Sequence, residues 1–304
     1  MILLNTLFPV FALLFLGGLL RRLGLTNEVF LKTSDRLIYF IFFPVMLFWK
    51  IGGASLESAL QSNLYFAVIL AILIVFILST LSIKLFKISN FQAGSYSQSC
   101  FRFNTYVGVA VVMNALGDEG IQCFGILIGF IIPIISVLIV IILIWHSGME
   151  TGFKQRVFSV ARELITNPLV IGCISGIIYS KTIHTFPVFL DNTFSLMSMI
   201  TLPLALLSIG AVLTFKTLKN HFRVSLIAAV FKLLLLPLVG FALLRAFNVT
   251  GIQFRTGMVF FALPTSTSLY VLSALLNSDT ELASASIVLS TVLSFFSLSL
   301  VLLI

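Results

Sequence analysis

Apolar stretches of about 17 to 25 residues recur from one end of this 304-residue chain to the other. Each is long enough to cross roughly 30 Å of hydrocarbon as a helix. Inside lipid, backbone N–H and C=O groups must find partners within the protein, and a helix satisfies them within one segment. The hydropathy pattern predicts ten such helices, over residues 2–20, 34–50, 62–83, 95–116, 121–145, 166–183, 189–213, 222–246, 253–276 and 282–303. Composition agrees. A soluble domain is about 25% charged, whereas here 60% of residues are hydrophobic and only 9% charged, with a mean hydropathy of +1.18. The expectation is an all-α polytopic membrane protein in which no segment of soluble composition is long enough to be a domain.

The first stretch, "MILLNTLFPVFALLFLGGLLRR", differs from a signal peptide, which carries its bases before the apolar core. Here Arg21 and Arg22 follow the core, so the stretch reads as a retained first span. The bases also orient the chain. With the N-terminus outside, the inner loops hold Arg21, Arg22, Lys32, Arg36, Lys84, Lys87, Lys154, Arg156, Arg162, Lys216, Lys219 and Arg223. The outer loops hold only Lys50, Lys181, Arg245 and Arg255. Both termini are therefore expected on the non-cytoplasmic side of a cell membrane, the inner or plasma membrane. The net charge of +8 is spread over short loops rather than gathered in a patch, which argues against a nucleic-acid partner. Cys100, Cys123 and Cys173 lie far apart in or near apolar runs, as buried free thiols do. His146, His184 and His221 lie in or beside loops without metal-ligand spacing. No cofactor or metal is implied.

The longest connection, 146–165, divides the spans into five and five. The halves also correspond: Pro9 and Pro168, Gly17 and Gly176, Pro44 and Pro203, Leu47 and Leu206, and Ala115-Leu116 and Ala274-Leu275 are all 159 positions apart. Because five is odd, the second copy enters the membrane from the opposite side, which makes an inverted-topology repeat. Transporters built this way bind substrate near the midplane, where helices are interrupted. The expected organisation is a first repeat over 1–145, a cytoplasmic linker over 146–165 and a second repeat over 166–304.

The fourth span of each half is the polar one. The first reads "SQSCFRFNTYVGVAVVMNALGDEG" and the second "GMVFFALPTSTSLYVLSALLNSDTE". Pro264 removes a backbone donor in mid-span and clashes with the preceding turn, and Thr265, Ser266, Thr267 and Ser268 follow at once. Across the repeat, Asn104 and Thr105 fall beside Leu263 and Pro264. Spans 4 and 9 are thus expected to break, at Asn104 and at Pro264, and to cross. Crossed half-helices would aim N-terminal dipole ends at one volume, and such ends attract anions.

A charge at mid-span costs about 2.5–3.5 kcal/mol on insertion scales, which marks Arg102 as a functional candidate. A guanidinium grips a carboxylate bidentately. Arg102, Asn104, Thr105, Thr265, Ser266 and Ser268 form the candidate substrate-binding set. Other readings stand beside this one. Arg102 could snorkel to the interface as an anchor. Asn104 and Thr105 could cap or join helices. The 265–268 run could serve only to repair the backbone freed by Pro264. Lys232, in span 8, reads better as pairing with a neighbouring carbonyl or snorkelling than as a ligand for substrate.

The stretches "RLIYFIFFPVMLF", "FRFNTYVGV", "LPLALLSIGAVL" and "LPTSTSLYVLSALL" together resemble the signature stretches of the auxin efflux carrier family. The likeness runs nearly end to end in length, span number and order. That family includes bacterial permeases for malate and malonate and is related to the plant auxin exporters. The resemblance implies a scaffold of spans 1, 2, 6 and 7 and a transport domain of spans 3–5 and 8–10. It further implies substrate beside the crossing of spans 4 and 9, an elevator movement, and frequently a homodimer through the scaffold. The family's Arg-x-Asn of span 4 is met by Arg102 and Asn104, and its Pro-Thr of span 9 by Pro264 and Thr265. Ser268 stands where Asn is usual, and Tyr106 where Gly often follows Asn-Thr. These departures bear on the substrate rather than on the fold.

The expected function is secondary transport of small organic anions: carboxylates such as malate, malonate or an auxin-like acid. Cation/proton antiport on a similar crossed fold would require a mid-span carboxylate, and all ten acids lie in loops or at span ends. Two further readings are sodium-coupled symport of an organic anion and a membrane sensor without transport. An enzyme would require a nucleophile with a base, or a metal with its ligands, and the spans offer neither.

Overall fold

The computed structural model describes residues 2–53, 62–146, 166–183, 185–213, 215, 217–275 and 277–304. The expected linker over 146–165, with Lys154, Arg156 and Arg162, lies outside them apart from residue 146, as do His184 and Lys216. The described chain is helical. Six of its helices are long and apolar enough to cross a membrane, and Pro168–Thr182 is a shorter apolar one. Large apolar side chains face outward, among them Phe15, Phe66, Leu81, Leu238 and Phe296; in lipid these carry no hydration penalty.

Contacts divide the chain into two compact units. The first holds α1 (Ile2–Arg22), α2 (Glu28–Leu37), α3 (Phe43–Gly52), residues 106–132 of α6 (Thr105–His146), α7 (Pro168–Thr182) and α8 (Val188–Val212). Asn27 starts α2, its side chain accepting from the Phe30 N–H. A π-helical turn, Ile38–Phe42, joins α2 to α3. It falls where Pro44 has no N–H to return to the preceding turn, and the wider turn absorbs the mismatch. Within α6 the backbone leaves helical geometry at Gly117 (φ +64°, ψ −154°), so two helices meet there, as expected between spans 4 and 5. A side chain at that φ would be strained.

In this unit α1 lies along α8, and α3 along α7. Glycines let the backbones touch, a common device where helices meet without a hydrophobic drive. A Cβ on Gly17 would collide with the Leu207 carbonyl, and one on Gly176 would stand 3.1 Å from the Phe48 carbonyl oxygen. Positions 17 and 176 are 159 apart, and so are 48 and 207.

The second unit holds α4 (Ser62–Leu85), α5 (Asn90–Phe101), the described end of α6 from Pro133, α9 (Leu218–Val230), α10 (Leu236–Ala246), α11 (Gly251–Ala262), α12 (Ser268–Leu275) and α13 (Thr280–Leu302). A second π turn, Phe231–Leu235, precedes Pro237. Pro237 has no N–H for the Leu233 carbonyl, and Ser297 of α13 donates its hydroxyl there at 3.0 Å. α13 packs against α9, α11 and α5 through small and hydroxylated side chains, including Ala283, Ser286, Ser290, Ser294 and Ser297. Asp279 caps α13, accepting from the Leu282 N–H at 2.9 Å.

Candidate anion site at two helix breaks

The site begins with two short helices that both end in extended backbone. Ser89 caps α5, accepting from the Gln92 N–H. The helix runs to Phe101 and gives way to extended backbone at Arg102 (φ −66°, ψ 156°). Helix resumes at Thr105. α11 runs to Ala262 and turns extended at Leu263 (φ −64°, ψ 148°); helix resumes at Ser268. Proline accounts for the second break. No proline accounts for the first, where polar side chains exchange partners with the second.

The breaks lie side by side. The backbone N–H of Asn104 donates to the carbonyl of Pro264 at 2.9 Å. Arg102 donates through Nη1 to Gln98 Oε1 at 2.9 Å and through Nη2 to Ser268 Oγ at 2.5 Å. Ser266 and Ser268 share a hydroxyl–hydroxyl hydrogen bond of 2.8 Å. One guanidinium is therefore joined to its own half-helix and to the opposite break. Phe103 and Phe260 pack ring against ring, with centroids 4.5 Å apart.

The groups freed by the breaks find partners on neighbouring helices. The Thr265 N–H, which would have continued α11, donates instead to Ser290 Oγ at 3.2 Å. The Phe261 carbonyl, four residues before it, accepts from the Lys232 ammonium at 3.1 Å. Lys232 is fully buried, and its charge sits at the carbonyl end of α11, where a cation is favourable. Of the two roles expected for Lys232, carbonyl pairing and snorkelling, this is the first.

Of the sequence-derived set, Arg102, Ser266 and Ser268 are directly linked, and Asn104 joins them through its backbone and Pro264. Arg102, Thr105 and Ser266 are half-buried, Ser268 is exposed, and Asn104 and Thr265 are buried. The Thr265 hydroxyl is buried with no hydrogen-bond partner among the described residues. Sequence reasoning does not single out Gln98 or Ser290. Gln98 is four residues before Arg102, a spacing that places both on one helix face. Nothing in the local sequence marks Ser290. Chemically, the arrangement offers a guanidinium, hydroxyls and the N-terminal end of α12 in one neighbourhood, a donor-rich place suited to an anion.

A family model described as a membrane transport protein, that of the auxin efflux carriers, matches residues 151–302. The chain belongs to the auxin efflux carrier family. It is also 25% identical to an uncharacterized transporter of Methanocaldococcus jannaschii, over 99% of this chain and 98% of that relative. As a member of the auxin efflux carrier family it is a multi-pass membrane transport protein and not an enzyme. The resemblance carried by the four quoted stretches is thereby borne out.

Proposed function

We propose that this auxin efflux carrier family member is a secondary transporter of small organic anions, with substrate bound beside the breaks at Asn104 and Pro264. The observation that carries the reading is the Arg102 guanidinium, hydrogen-bonded to Ser268 across the two breaks. A carboxylate would take the guanidinium bidentately, with Asn104, Thr105, Thr265 and Ser266 completing the shell. Malate and malonate are the first candidates through the family, and an auxin-like acid is the next.

The fold in this proposal is a ten-helix inverted repeat of five and five. Its support is the offset of 159, which relates Pro9 to Pro168 and Pro44 to Pro203. The same offset relates the contact between Gly17 and Leu207 to that between Gly176 and Phe48. Spans 1, 2, 6 and 7 form the scaffold, which pairs two copies of the chain. Spans 3–5 and 8–10 form the domain that carries substrate by an elevator movement. Both termini lie on the non-cytoplasmic side of the inner or plasma membrane, in keeping with the twelve-to-four distribution of loop bases.

The test is uptake of a panel of radiolabelled carboxylates by proteoliposomes, with and without imposed voltage and pH gradients. At least one small carboxylate should accumulate above protein-free vesicles. No uptake across the panel, with equal uptake of an organic cation, would overturn the reading.

A further inference from the structure

The first unit contains a cavity of about 400 Å³, within the range of small-molecule sites. Its body is apolar, formed by Pro9, Leu13, Met199 and Pro203, with Asn114 and Ser198 as polar points. Trp49 and Lys50 also line it. The Lys50 ammonium lies 4.5 Å from the centre of the Trp49 ring and bonds Asp118 Oδ1 at 2.6 Å. The partners are unequal: the Lys50 side chain is 16% exposed and that of Asp118 is 72% exposed. The lysine is the fixed half of the pair, set against an indole face, and the carboxylate reaches it from solvent. Asp118 directly follows Gly117, where the α6 backbone departs from helical geometry.

We infer that Lys50 and Trp49 form a second binding site, which takes an amphipathic monocarboxylate, and that Asp118 occupies the carboxylate position until a ligand displaces it. The apolar body of the ligand fills the cavity, its carboxylate replaces Asp118 on the Lys50 ammonium, and Asn114 and Ser198 supply further hydrogen bonds. A solvent-exposed carboxylate is held weakly in an ion pair, so a carboxylate that also buries apolar surface competes with Asp118. This inference rests on the organic-anion reading above and adds a site to it.

Trp49 reports on the site directly. The chain has two tryptophans, so Trp145→Phe leaves Trp49 as the sole indole. The probe is cyclohexanecarboxylate, titrated into the purified full-length protein with emission excited at 295 nm. A saturable change is expected with this probe. Acetate should bind on the order of a thousandfold more weakly for lack of an apolar body, and cyclohexanecarboxamide should give no change. Asp118→Asn should tighten the probe about fivefold by removing the competing carboxylate, and Lys50→Gln should abolish the response. Arg102→Gln should leave it intact, which separates this site from the one at the helix breaks. The inference is overturned if the amide acts like the acid, if the response survives Lys50→Gln, or if Arg102→Gln removes it. Should the Trp145→Phe protein not fold, thermal stabilisation of the wild-type chain by the probe, lost in Lys50→Gln, replaces emission. Equal stabilisation of the two would overturn the inference.

Discussion

The Nη2 of Arg102 donates to the Oγ of Ser268 at 2.5 Å, across 166 positions of sequence. This bond joins the end of one half-helix to the start of another. It makes the Arg102 charge part of a shared polar site. In the proposed function, a substrate carboxylate competes with Gln98 and Ser268 for this guanidinium, so these two hydrogen bonds hold the arginine in position for its ligand.

The hydroxyl of Ser297 and the ring of Pro237 act on one carbonyl, that of Leu233. Ser297→Ala should destabilise the purified protein by about 1 kcal/mol, since it leaves that carbonyl without its donor. In a Pro237→Ala background a backbone N–H is restored four residues on, and the same substitution should cost measurably less. Thermal unfolding of the four proteins in detergent gives the coupling; additive effects would contradict it.

Gly17 and Gly210 hold α1 and α8 in backbone contact. A Cβ at either position would strike a carbonyl, that of Leu207 or of Leu14. Gly17→Ala and Gly210→Ala should each destabilise by about 1–3 kcal/mol, the range for overpacking. Gly18→Ala should cost less, because its Cβ would meet only the Gly210 oxygen at 3.3 Å. Retention of the monodisperse peak after heating ranks the three; equal loss in all would contradict the packing argument.

Single cysteines test the orientation. Cys100, Cys123 and Cys173 are buried and in no disulfide, so introduced surface cysteines should dominate labelling by an impermeant maleimide. Positions 32 and 219 should label from the cytoplasmic side, and 191 and 250 from the opposite side. Labelling of 32 and 191 from one side would contradict the ten-span topology.

The two breaks are legible in the sequence for different reasons. Pro264 announces its own break, because a mid-span proline lacks a donor. The break at Arg102 to Asn104 is legible only as polarity in an apolar run, and the offset of 159 then sets Asn104 beside Leu263 and Pro264. Where the freed groups go is not legible. Ser290 and Lys232 reach the breaks from α13 and from the π turn after α9, and local sequence does not encode which neighbour lies across a helix face. Hydropathy also misplaces the start of the second span. α2 begins at Glu28, six residues before the expected 34. Its first turns carry Glu28, Lys32 and Asp35, which hydropathy discounts while the Asn27 cap and helical spacing do not.

Affinity for the transported carboxylate, measured on purified folded Arg102 variants, tests the central claim most directly. Substrate is first identified by uptake, and its binding is then followed by calorimetry. A charged hydrogen bond contributes about 1.5–3 kcal/mol, so Arg102→Gln should weaken binding by roughly tenfold to a hundredfold. Arg102→Lys keeps the charge but not the planar fork, and should fall between Gln and wild type. If Arg102→Gln binds the same carboxylate as tightly as wild type, Arg102 is an anchor and the account of the anion site is wrong.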